Sequence, residues 1–115
     1  MEKTLSMIKP EAVGRGLSGK IIATIEESGL KVVAQKMLRL SREQAARFDE
    51  LIENITAGPV IVQVLAGENA IEEYRRLMGN TNPAAAEEGT LRRLYGVSIE
   101  KNAVHGSDGP ETAER

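Results

Sequence analysis

An α/β fold of the α+β sandwich type, a four-stranded antiparallel sheet with helices packed on it, is what this sequence predicts. Three observations predict it. Four short apolar runs alternate with segments whose apolar residues recur at helical spacing. Glycine and proline punctuate the boundaries between them. The length, 115 residues, is enough for one buried core and one domain.

The first run, Leu5-Ser6-Met7-Ile8, reads as a strand that ends at Lys9-Pro10, where the proline ring stops the ladder. Gly14-Arg15-Gly16 is a flexible loop. Leu17, Ile21, Ile22 and Ile25 then share a helical face, and Ser28-Gly29 closes that helix with a glycine suited to the left-handed cap. Val32 through Leu40 is a longer second strand. Ser41-Arg42-Glu43-Gln44 has the form of a capping box, so a helix is expected from about Glu43 towards Ile55, with Leu51, Ile52 and Ile55 on one face. Gly58-Pro59 breaks the chain. Val60-Ile61-Val62-Gln63-Val64-Leu65 follows, the run of a central strand buried on both faces. A helix from Ala70 to Met78 ends at Gly79, and residues 80–90 form a loop rich in turn residues. Thr90 caps a short helix carrying Leu91 and Leu94. Asn102 to Val104 is the last strand, with His105 where it ends, and Asp108-Gly109-Pro110 looks like a helix start. The order β-α-β-α-β-α-(α)-β, with helices on one side, is that of a ferredoxin-like sandwich. That architecture hosts enzymes, RNA binders and regulatory domains alike, so the chemistry must be read from particular residues.

Composition removes several classes. There is no cysteine, which excludes thiol nucleophiles, disulfides and Cys/His zinc sites. A formal net charge of −2 argues against general affinity for nucleic acid. Phe48, Tyr74 and Tyr95 are the only aromatics, too few for a typical single-strand RNA binder. No apolar run approaches the roughly 20 residues that span a bilayer, and the start lacks a signal-peptide core. A cytoplasmic protein with no membrane partner is the simplest expectation.

His105 is the only histidine, so any imidazole chemistry passes through it. Lys9 stands at the end of the first strand, Arg75 within a helix and Arg92 just after Thr90; Thr81 offers a hydroxyl and Asn102 an amide. Gathered beside His105, they would hold a polyphosphate and its transferable terminal group. Developing phosphoryl charge needs cations and fixed donors, which arginine supplies bidentately. A neutral imidazole, whose ordinary pKa is about 6.5, keeps a lone pair with which to attack phosphorus. Each residue has a plain structural alternative. Arg75 fits a solvated helix face, Lys9 a strand end, and Thr81 and Asn82 a turn before Pro83. No Walker-type glycine loop, dinucleotide-binding glycine motif or Ser-His-Asp set is present.

Six collinear segments resemble the nucleoside diphosphate kinase family. They are Thr4 to Val13 around Lys9-Pro10, Ala57-Gly58-Pro59-Val60, Gly67-Glu68-Asn69-Ala70, Met78 to Ala84 around Thr81-Asn82-Pro83, Gly89-Thr90-Leu91-Arg92, and Asn102-Ala103-Val104-His105-Gly106-Ser107-Asp108. The last is highly specific, and the resemblance runs through nearly the whole chain. It implies transfer of the γ-phosphoryl group from a nucleoside triphosphate to a nucleoside diphosphate by a ping-pong route. His105 matches the phosphorylated nucleophile, which uses Nδ1. Lys9, Arg75, Thr81 and Arg92 match the phosphate ligands, Asn102 the ribose contact, and Phe48 and Leu51 the apolar walls of the base slot. The resemblance also implies magnesium (Mg2+) brought with the nucleotide rather than held by a protein cage, and a homo-oligomer, tetramer or hexamer.

Two departures from the family pattern stand out. Between the second strand and Gly58-Pro59 the chain is about ten residues short, an apparent gap near residues 47–48 that removes a tyrosine supporting the nucleophile and at least one base-stacking phenylalanine. After Asp108 the chain soon reaches Arg115, leaving out a glutamate that orients the histidine, a role Ser107 and solvent would partly take over. A deletion in the protein and a longer chain of which these are the ordered residues both remain open. A folded but catalytically impaired nucleotide-binding or scaffolding derivative is accordingly the alternative to an active kinase.

Overall fold

The computed structural model describes residues 2–48, 52–99 and 101–106. In chain order its elements are β1 (Glu2–Ile8), α1 (Pro10–Gly14), α2 (Ser18–Glu27), β2 (Lys31–Leu38), α3 (Arg42–Ala45) and α4 (Ile52–Ile55). There follow β3 (Val60–Gly67), α5 (Ala70–Met78), a 3-10 turn (Pro83–Ala85), α6 (Leu91–Tyr95) and β4 (Val104–Gly106). The strands form one sheet in the order β2-β3-β1-β4, every neighbouring pair antiparallel. This is the ferredoxin-like sandwich that the alternation of elements predicts.

Register decides what each face carries, because successive strand residues point to opposite sides. Ile8 lies opposite both Ile61 and Val104, and these three belong to a core shared with Leu65, Ile21 and Ile25 of α2, and Tyr74 and Met78 of α5. Ile21 and Ile25 are fully buried, each worth about 1.5–3 kcal/mol relative to exposure. Met7, one residue earlier, turns to the other face and lies opposite Val62 and His105. There it joins Leu40, Ala45, Ile55 and Val60, with Phe48 packed against them. His105 therefore stands on the face opposite α2 and α5.

Three expectations need correction, and the one for Pro10 is extended. Helices do not lie on one side only: α3 and α4, each a single turn, belong to the cluster on the His105 face. The continuous helix expected from Glu43 towards Ile55 is not formed. The capping box is present, with Ser41 Oγ accepting from Gln44 N and Gln44 Oε1 from Ser41 N. Yet α3 ends at Ala45, and the amides of Arg47 and Phe48 bond only three residues back, to Gln44 and Ala45. The last strand runs Val104–Gly106 rather than Asn102–Val104, so His105 is inside it. Finally, Pro10 both stops β1 and opens α1, because its fixed φ and missing N–H suit the first helical position. The helix start at Asp108 falls outside the described residues. No helix among the described residues is long and apolar enough to cross a membrane.

Candidate active site

β4 is a three-residue edge strand whose side chains alternate like those of its partner. Val104 is buried on the helix side, His105 half-buried on the opposite side, and Gly106 buried against α5. A Cβ on Gly106 would meet Met78 Cε at 2.8 Å and Tyr74 Cε2 at 3.0 Å, so the absence of a side chain lets α5 close on this edge. Closing there leaves His105 facing away from the helix layer.

Two cations are built in next to this strand. Lys9, 1% exposed at the β1–α1 junction, donates from Nζ to Asn102 Oδ1 at 2.7 Å. Asn102 in turn donates from Nδ2 to the Thr81 carbonyl at 3.1 Å, which ties the loop after α5 to the end of β1. Arg92, in the first turn of α6, sends one guanidinium nitrogen to the Gly79 carbonyl and the other to the Val104 carbonyl, both at 3.0 Å. Thr90 prepares that turn by accepting from Arg93 N with its hydroxyl. The guanidinium is thus locked to the carbonyl of the residue preceding His105, a positive charge fixed at the backbone of β4.

The remaining predicted residues sit as follows. Thr81 is exposed and reaches Asn102 through its carbonyl. Arg75 is on the exposed side of α5, above a recess it shares with Gly79, Asn80 and Thr90. Gly79 thereby links the Arg75 recess to the Arg92 guanidinium. Phe48 meets His105 edge-on, with ring centroids 6.1 Å apart and planes at 81°, a favoured aromatic geometry. Leu51 and Ser107 lie outside the described residues.

Two features escaped sequence reasoning. One is a buried polar relay: Ser6 Oγ lies 2.6 Å from the Tyr74 hydroxyl and donates to Gln63 Oε1 at 3.2 Å, and Gln63 Nε2 donates to Gln35 Oε1 at 2.9 Å. Burial pushes the Tyr74 phenol up to about 12, against smaller opposing effects from the Ser6 hydroxyl, which would turn to donate to a phenolate, and from the Arg92 charge. The only available signal was polar residues placed within apolar strands. The other is Glu11, whose Oε1 accepts from Ala103 N at 2.8 Å; nothing in the sequence marked it.

The chain is similar to known proteins in sequence and in fold. The model of the family described as nucleoside diphosphate kinase matches residues 2–115. A nucleoside diphosphate kinase of Persephonella marina is 52% identical over 124 aligned positions, covering 99% of this chain and 89% of that protein. One from Bradyrhizobium diazoefficiens is 51% identical over 98% of this chain and 88% of its own length. An alignment of 124 positions against 115 residues leaves at least nine positions of the first relative without a counterpart here. Among solved structures, the apo nucleoside diphosphate kinase of Encephalitozoon cuniculi superimposes with a TM-score of 0.92 at 42% identity, covering 99% of this chain and 84% of that one. That of Aquifex aeolicus gives 0.92 at 36% identity, over 98% and 89%. A family model over residues 2–115 and a relative 52% identical across 99% of the chain show one thing plainly: the chain belongs to the nucleoside diphosphate kinase family.

Proposed function

We propose that this protein transfers the terminal phosphoryl group of a nucleoside triphosphate to a nucleoside diphosphate, with His105 carrying the group between the two half-reactions. The single observation behind the residue assignment is the Arg92 guanidinium bonded to the Val104 carbonyl, directly before His105. The imidazole lone pair forms a bond to the γ-phosphorus, and the bond to the bridging oxygen breaks with its electron pair leaving on the nucleoside diphosphate. An acceptor diphosphate then attacks the phosphohistidine, and the imidazole departs. Charge develops on the transferring oxygens, where Arg92, Arg75 and Lys9 oppose it. In this reading Thr81 adds a phosphate donor, Asn102 contacts the ribose, and Phe48 and Leu51 bound the base.

Kinases of this family work with a divalent cation, and we assign magnesium. Among the described residues no three acidic or histidine side chains gather to hold a metal ion. Mg2+ suits such a site because it retains waters and takes phosphate oxygens as ligands. Bound with the nucleotide, it would polarise the phosphates, while Lys9, Arg75, Thr81 and Arg92 would hold their oxygens.

A homo-oligomer, tetramer or hexamer, fits the surface. Val33 and Met37 on the outer strand β2, and Leu94, Val97 and Ile99 after the first turn of α6, are each more than half exposed, two apolar patches of the kind that subunit contacts cover. A cytoplasmic location is part of the same proposal, since nucleoside di- and triphosphates are available there. We also read the chain as one domain with an apparent internal gap near residues 47–48; a peptide mass across that stretch equal to the sequence's own supports this, and one larger by about ten residues overturns it. A catalytically impaired derivative is not favoured, given 52% identity across 99% of the chain to a named kinase.

The test is labelling. With γ-labelled ATP and magnesium, wild-type protein takes up acid-labile phosphate and discharges it to an added diphosphate. His105→Ala takes up none. Label on that variant, or none on a folded wild type that binds ADP, overturns the assignment.

A further inference from the structure

Ala103 is buried completely and sits two residues before the nucleophile with φ at +76°, a backbone region that side-chain-bearing residues rarely enter. The amide of Val104 donates to the Asn102 carbonyl across it at 2.9 Å. An i to i+2 bond around a residue at positive φ is a γ-turn of the rare, strained kind. Such a conformation persists only where its surroundings over-determine it. Both main-chain groups of Ala103 are in fact held. Its carbonyl accepts from Lys9 N at 2.8 Å, and its amide donates to Glu11 Oε1 at 2.8 Å. The two holders flank Pro10, at the point where β1 becomes α1.

The strained turn separates two functional side chains. Asn102, before it, is bonded to Lys9, and His105, after it, is paired with Met7 in the sheet. The angle of the turn therefore sets the offset between the amide and the imidazole. Glu11 gives up something to serve it: Oε2 is buried without a hydrogen-bond partner, a cost that the single Oε1 bond must offset. A carboxylate among phosphate-binding cations would repel the substrate, which makes a ligand role for Glu11 the poorer account.

We infer that Glu11 is a positioning residue for the phosphoryl transfer, its carboxylate holding the Ala103 γ-turn so that His105 and Asn102 keep their working offset. The inference rests on the phosphohistidine reading above. Glu11→Ala frees the Ala103 amide, and the turn relaxes towards negative φ. Displacements of this size beside reacting atoms cost up to about 100-fold, so kcat is expected to fall at least about tenfold while KM changes less than about twofold. Glu11→Gln keeps an oxygen acceptor and is expected to stay within about threefold of wild type. The decisive comparison uses glycine, which enters positive φ without strain. In an Ala103→Gly background the Glu11→Ala penalty is expected to shrink to about twofold, because the turn no longer needs holding.

An equal penalty in both backgrounds overturns the clamp, as does a Glu11→Gln variant as impaired as Glu11→Ala, since the charge would then matter more than the bond. Should Glu11→Ala fail to fold by circular dichroism, recovery of its fold by Ala103→Gly supports the clamp, and no recovery overturns it. These results are separable from failure of the phosphohistidine reading, which shows as wild type that never labels.

Discussion

The two faces of the sheet are held by different means. Towards α2 and α5, ten- and nine-residue helices lay long apolar stripes on Ile8, Ile61, Leu65 and Val104. Towards His105 the cover is two single-turn helices, Phe48 and, beyond them, an open groove of about 350 Å3 along β2 and β3 lined by Leu5, Ala34, Leu38, Val62 and Val64. One face has the packing that stability demands. The other is open along this groove, whose lining includes Phe48. In the proposed reading the nucleophile and the larger core lie on opposite sides of one sheet, and the two should fail separately.

Matched truncations give the largest effect that could break this division. Ile25 and Ile55 are both completely buried, one on each face. Ile25→Ala leaves a cavity under a helix anchored along its length and should cost about 3–4 kcal/mol in urea unfolding, whereas Ile55→Ala, under one turn able to settle inwards, should cost about 2. Equal costs would mean that the His105 face is packed as rigidly as the helix face.

Next in size is the alkaline response of the helix face. Tyr74 has a folded pKa of about 12 against an ordinary 10.0. Its neutral form is the one folding favours, so this contribution is complete below pH 10 and fades as pH rises through 12. About two units correspond to roughly 2–3 kcal/mol. Wild type should lose about that much more stability than Tyr74→Phe between pH 9 and 12; parallel curves would show that the phenol ionises freely in the folded protein.

The smallest expected effect falls on the open face. Phe48→Leu should raise KM for the nucleotide about threefold with little loss of stability, as for removal of a modest aromatic contact. A fall in kcat at constant KM would instead assign the ring to holding the imidazole.

Much of the frame was legible because it is periodic. The apolar spacing of Leu17 to Ile25, the helix ending at Gly79 and the apolar run from Val60 each reported an element directly. The sequence misled where one local signal served two states. Pro10 ends a strand and begins a helix with the same fixed φ, and the Ser41 box starts a helix without saying that it lasts one turn. The residues proposed for the site could be named from the sequence, but the bonds that hold them could not. Lys9 meets Asn102 across 93 positions and Glu11 meets Ala103 across 92. Ala103 looks unremarkable in sequence because positive φ in a non-glycine residue leaves no mark on composition.

The edge-on contact between Phe48 and His105 has a consequence for anyone watching this protein turn over. Each ring is the only one of its kind among the 115 residues. A magnetic resonance spectrum of the chain accordingly contains one histidine ring and no more, and its two carbon-bound protons need no assignment. The nearby phenyl current displaces those lines, and any shift in the gap between the rings moves them again. The residue proposed to carry the phosphoryl group thus comes with its own ruler, readable in solution without a label.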